Sequence, residues 1–245
     1  EIGSPASSAL LAELAALAQA GLVYEPAMTA EGILAKNRKG SGKLTLIAQG
    51  KAAHAGRSFD EGRNAICYLS EAITKIHALN GLKEGVTINI GLVAGGEALN
   101  VVPEHAVTKL DVRITQPEDE AWVRMQLDNI IQKMQRKDYS LTLKGSFSRP
   151  VKKVNVATRR LFERIKLIGQ ELGIIVDWQD SGGCCDGNNL AQNGLPVIDT
   201  LGVRGGDIHS PSEFILLDSL PERAALSALL LMDLSRGGLE ALNEA

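Results

Sequence analysis

Hydrophobic and polar positions follow two periods in turn between residues 44 and 143. Leu44 to Ala48 is a strand-like run. Ile66, Leu69, Ile73, Ile76 and Leu79 then fall at helical spacing, inside an amphipathic stretch from about 61 to 80. Val86, Ile88, Ile90 and Leu92 alternate with Thr87, Asn89 and Gly91, and Leu110, Val112 and Ile114 alternate with Lys109, Asp111 and Arg113. That is the period of a strand buried on one face. Pro117-Glu118-Asp119-Glu120 reads as a helix opening with acids in its first turn. Val123, Leu127, Ile130, Ile131 and Met134 continue it, and Tyr139, Leu141 and Leu143 form a last alternating strand. The predicted order is β-α-β-β-α-β, a ferredoxin-like unit with both helices on one face of the sheet.

The flanks follow another rule. Residues 5–20 are rich in Ala and Leu with Glu13 as their one charge, and predict a helix opened by Ser4-Pro5 and stopped by Gly21. Leu22-Val23-Tyr24, Ile174-Ile175-Val176 and Pro196-Val197-Ile198 read as short buried strands. Leu161, Ile165, Ile168 and Leu172 mark a helix, and Leu220 to Leu234 a closing one. Ser210 and Glu213 have capping-box spacing. The polar run 36–43 reads as a linker or turn. Strands alternating with helices predict a mostly parallel sheet covered on both faces. The expected fold is therefore α/β: one domain made of residues 1–39 and 148–245, interrupted by the ferredoxin-like unit at 40–147.

Composition narrows the function classes. A net charge of −3 over 245 residues points to neither nucleic acid nor an anionic membrane. No apolar run approaches the ~20 residues of a membrane span. Three cysteines, Cys67 and the adjacent Cys184-Cys185, are too few for a disulfide scaffold and read as reduced thiols, which favours the cytoplasm.

Candidate chemistry sits in the loops. Gly50-Lys51-Ala52-Ala53-His54-Ala55-Gly56 surrounds His54 with small residues, so that a ligand can approach the imidazole; a helix-capping or solvated histidine is the plain alternative. Glu25 follows a predicted strand, where α/β proteins place ligand groups, with a plain loop carboxylate as the equal alternative. Arg113 points by alternation to the open face of the inserted sheet, either as a solvated surface residue or as a partner for a carboxylate. Asn100 lies in the connection Gly95 to Pro103, free to bind a ligand or its own loop. The Gly-rich turn Ser181 to Gly187 contains Gly183 and Cys184, both candidate substrate contacts.

Glu1-Ile2-Gly3-Ser4, Glu25-Pro26, Gly50 to Gly56, Asn100-Val101-Val102-Pro103, Asp111-Val112-Arg113, Gly182-Gly183 followed by Asp186, and His209-Ser210 occur in one order across the whole chain. Together they resemble the two-metal exopeptidases and deacylases: glutamate carboxypeptidase, acetylornithine deacetylase, succinyl-diaminopimelate desuccinylase and aminoacylase. The resemblance implies a zinc-dependent catalytic domain with an inserted lid that also forms a homodimer. It implies a substrate with a free carboxylate, a small N-acyl amino acid or short peptide. It assigns Glu1, Glu25 and His209 to two zinc ions (cobalt or manganese as alternatives), His54 to the tetrahedral oxyanion, and Arg113 and Asn100 to the substrate carboxylate. The family's upstream His, bridging Asp and general-base Glu have no counterpart in this sequence, and Cys184-Cys185 replaces a Gly and a Ser or Thr. Those departures predict a chain that is N-terminally truncated and inactive by itself. A non-catalytic scaffold that keeps the fold is the alternative.

Overall fold

The computed structural model describes residue 4 and residues 6–243. The chain divides into two compact units, Gly40–Ser148 on one hand and Glu1–Lys39 with Arg149–Ala245 on the other. In chain order the elements are α1 (Ser8–Leu17), β1 (Gly21–Leu22) and β2 (Leu34–Arg38). The inserted unit follows with β3 (Gly40–Gln49), β4 (Ala53–His54), α2 (Ala65–His77), β5 (Thr87–Gly95), β6 (Val101–Val102), β7 (His105–Ile114), α3 (Asp119–Lys133) and β8 (Ser140–Arg149). The flanking unit resumes with α4 (Val156–Leu172), β9 (Trp178–Ser181), α5 (Asp186–Ala191), β10 (Val197–Ile198), β11 (Gly205–Gly206), β12 (Phe214–Ile215), α6 (Ser219–Asp233) and α7 (Leu239–Asn243).

The inserted sheet has the order β5-β7-β3-β8. The first and third long strands lie side by side in it and the other two form the edges, as a β-α-β-β-α-β chain requires. β3 and β7 pair antiparallel from Gly40↔Ile114 to Gln49↔His105. Alternation decides the faces: Leu44, Leu46, Leu110, Val112 and Ile114 are buried with Leu69, Ile76, Val123 and Leu127 of the two helices. Asn64 caps α2, its side-chain oxygen accepting from the Cys67 N–H at 3.0 Å. A separate two-stranded ribbon, β4 with β6, is built from the loops that leave β3 and β5.

The polar run 36–43 is not a linker. It holds the end of β2 and the first residues of β3. Gly40, Ser41 and Gly42 are buried, and a Cβ on Gly42 would stand 3.0 Å from the Phe147 ring. The small polar residues are there for close packing, a demand that composition alone does not reveal.

In the flanking unit β1 runs parallel to β10 and β2 parallel to β9. A bridge between Ala35 and Asp199 joins β2 to the end of β10. The core is Leu34, Leu161, Phe162, Ile165, Ile198, Leu201, Leu226 and Leu230, with Trp178 stacked on Phe162 at 3.8 Å. Three expectations fail here. Ile174-Ile175-Val176 is not a strand: Gly173 adopts a left-handed conformation, and the Ile174 N–H closes α4 on the Gly169 carbonyl at 2.8 Å. The strand pairing begins four residues later, at Trp178. Ser210 and Glu213 do not cap the closing helix, which starts at Ser219; Glu213 instead accepts from the backbone N–H of His209 at 3.2 Å. The first helix starts at Ser8 rather than at Ser4-Pro5. Ser4 is drawn away with a φ of 51°, its hydroxyl donating to Asp186 at 2.6 Å.

Candidate active site

Two predicted residues of the inserted unit are brought together. His54 pairs with Val101 in the β4–β6 ribbon, and the Ala55 N–H donates to the Asn100 carbonyl at 2.9 Å. Both His54 and Asn100 are exposed. The His54 Nδ1 accepts from the Gly56 N–H at 3.1 Å, which leaves Nε2 as the outward nitrogen. Gly50 is required for the turn into the ribbon, since a Cβ there would meet the Arg63 carbonyl at 1.9 Å.

Arg113 does not join them. It lies at the opposite end of β7, across from Ser41 and Thr87. At ~3.3 Å per residue, the stretch from His105 to Arg113 spans roughly 26 Å. Its guanidinium is also engaged, donating to Asp111 at 3.0 Å. Burial opposes ionisation of Asp111, but Arg113 and Lys43 outweigh it and hold the carboxyl below its ordinary range. One lid therefore cannot present Arg113 and Asn100 to the same small carboxylate.

In the flanking unit the Glu25 carbonyl accepts from the Gly202 N–H at 2.9 Å, and a Cβ on Gly202 would stand 2.6 Å from that oxygen. Glycine is thus needed where the chain leaving β10 passes Glu25. His209 sits seven residues further on, between β11 and β12, with a φ of 68°. Glu25 and His209 are both exposed. Glu1 lies outside the described residues. Among the described residues no group of three or more His, Cys, Asp or Glu side chains converges as a metal site. Zinc needs three or four protein ligands, so the described donors do not by themselves fit that ion.

The sequence reading missed what lies under this loop cluster. Asp199 is fully buried and receives two cations: Arg38, donating from Nε and Nη2 at 2.8–3.1 Å, and Lys152, donating from Nζ at 2.5 Å. Arg38 Nη1 reaches the Ser181 hydroxyl at 3.3 Å, and that oxygen accepts from the Gly183 N–H at 3.2 Å. The Gly182-Gly183 turn is thereby fastened to β2 and to the end of β10. Burial works against the Arg38 charge, but the Asp199 carboxylate overrides it and raises the pKa, with a weaker contribution from Glu25. The one available signal was Asp199 itself, an acid directly after the buried Val197-Ile198 strand.

Gly183 is exposed and Cys184 half-buried at the lip of this turn. The next residue, Cys185, caps α5: its Sγ accepts from the Gly187 N–H at 3.3 Å, and its own N–H donates to Asn188 at 3.0 Å. Burial, helped by the Asp199 charge, pushes the Cys185 thiol up to about 11. A thiol that stays protonated is neither a good metal ligand nor an easily oxidised one. Ser or Thr fills such a capping position equally well.

Residues 37–138 match the family model described as the peptidase dimerisation domain. Over 239 residues the chain is 26% identical to Carboxypeptidase G2 of Pseudomonas sp. (strain RS-16), covering 97% of this chain and 58% of that protein. An alignment 134 positions long, covering 49% of this chain and 29% of the relative, is 31% identical to a probable carboxypeptidase of Arthroderma otae. The fold is that of a tripeptidase of Staphylococcus aureus, with a TM-score of 0.73 at 23% identity over 89% of this chain and 58% of that one. It is shared too by the YXEP protein of Bacillus subtilis, described as a dinuclear metal binding peptidase from the M20 family, with a TM-score of 0.61 at 16% identity over 92% and 57% of the two chains. The chain thus spans little more than half the length of the relatives it matches along most of its own length. Among the described residues no helix is long and apolar enough to cross a membrane.

Proposed function

We propose that this chain, whose residues 37–138 match the peptidase dimerisation domain, is part of an M20-type metal-dependent amide hydrolase that releases an amino acid with a free carboxylate. The reading rests on one observation, the β4–β6 ladder that puts His54 beside Asn100 on an exposed, small-residue ribbon of the lid. His54 is the donor to the developing oxyanion. A positioned donor of this kind contributes roughly 3–4 kcal/mol to an acyl-transfer transition state. Glu1, Glu25 and His209 are the metal-ligand candidates, zinc being the ion that suits carboxylates and imidazole. Gly183 and Cys184 line the substrate side of the fastened turn.

Because Arg113 and His54 stand at opposite ends of one lid, the two serve one substrate only from two lids. A homodimer supplies them. Support for it comes from β5, an edge strand whose outer half is exposed, with Leu92 at 45% and Val93 at 56% of full exposure. An unpaired apolar edge of that kind invites pairing.

The test is a screen of dipeptides and N-acyl amino acids, with added zinc, on the natural polypeptide that carries this sequence. Turnover should fall on His54→Ala with little change in KM, whereas Arg113→Ala should chiefly raise KM. Unchanged turnover for His54→Ala removes it from the mechanism. The second reading is a non-catalytic module that keeps the fold. Calorimetric titration with zinc separates the two: tight binding of two ions by the natural polypeptide excludes the scaffold.

A further inference from the structure

A cavity of about 480 Å³ opens on the lid between the β4–β6 ribbon and the face of the sheet away from the helices. Its walls are aliphatic, with Ile47, Ala94 and Val107 side by side across β3, β5 and β7, and Val101 from the ribbon. Glu97 and Glu104 stand at its rim with His105, which lies 3.6 Å from Glu104. Residues directly opposite in an antiparallel ladder point to the same side, their Cβ atoms about 5 Å apart. His54 is opposite Val101, so its imidazole and the cavity share one side of the ribbon.

We infer that this cavity is a subsite for the amino-terminal residue of a short peptide whose first side chain is apolar and whose amine is free. The inference rests on the hydrolase reading above and narrows its substrate to peptides rather than N-acyl amino acids. The aliphatic walls take the side chain. The carboxylates of Glu97 and Glu104 receive the ammonium. An acyl group in place of the ammonium removes the charge attraction and leaves rim carboxylates beside a group that cannot neutralise them.

The experiment is a titration of the ¹⁵N-labelled 245-residue chain with leucylglycine and, separately, with N-acetyl-leucylglycine, followed by amide chemical shifts. Leucylglycine should move the amides of Gly95 to Glu97 and of Glu104 to Val107 saturably, and the acetylated peptide should bind roughly tenfold more weakly. Glu104→Gln should weaken leucylglycine roughly fivefold, the size of one partly exposed ion pair. Ala94→Phe, a change at an exposed position, should fill the cavity and abolish the shifts while the rest of the spectrum stays in place. Equal binding of the two peptides, or no shift at all, overturns the inference. If leucylglycine binds as stated but the natural polypeptide hydrolyses nothing with zinc present, the subsite stands and the hydrolase reading fails.

Discussion

Along β7, the side chains turned toward the lid helices are Ala106, Leu110, Val112 and Ile114, with Thr108 among them satisfied through its bond to the Leu92 carbonyl. At the corresponding depth of the flanking unit, β2 and β10 meet through Arg38, Lys152 and Asp199, a buried carboxylate between two buried cations. The lid is held by long ladders and aliphatic burial, terms that add up in small equal parts. The flanking unit has strands as short as Gly21–Leu22 and Val197–Ile198, and joins its loops by charge. The lid should therefore yield gradually to truncation, and the flanking unit abruptly to the loss of one group.

The largest effect should come from that group. Asp199→Ala leaves Arg38 and Lys152 buried without a countercharge, which costs about 3–5 kcal/mol. Hydrogen exchange should show β2, β9 and β10 losing protection while β3 and β7 keep theirs. Equal loss in both units would dissolve the contrast. Next is Leu127→Ala, at a lid position 1% exposed; an emptied core site of this kind costs about 2–5 kcal/mol, and the amides that lose protection should here be those of the lid.

A smaller effect is tied to pH. Asp119 is 1% exposed and bonded to Lys83 at 2.8 Å. Burial opposes its ionisation, but Lys83 and the Gln116 N–H outweigh it and depress the pKa below 3.8. A depressed carboxyl contributes stability in full above its unfolded value and loses it as pH falls through the folded value. Acid unfolding of the lid, followed at Trp122, should accordingly lose steepness in Asp119→Asn. The smallest effect belongs to Cys185: Ser should hold the cap of α5 within about 0.5 kcal/mol, whereas Ala should cost about 1 kcal/mol.

The sequence alone carried the lid. A period of two or of 3.6 is a local property, so the alternation from Val86 to Leu92 and from Lys109 to Ile114, and the spacing from Ile66 to Leu79, disclosed strands, helices and the face on which Arg113 stands. The ordered motifs marked His54, Asn100, Glu25 and His209 as residues of interest. Tertiary structure alone decided which of them meet. His54 and Asn100 meet because β4 and β6, each two residues long, pair across a loop, and two residues are too short to leave a period. Arg113 stands apart because the length of β7 separates it from them. Arg38 and Lys152 left no local trace either, and Asp199 only its place after a buried strand: each is a single polar residue in a different segment. Their meaning arises only where three distant pieces of chain exclude water and a lone carboxylate must find its cations.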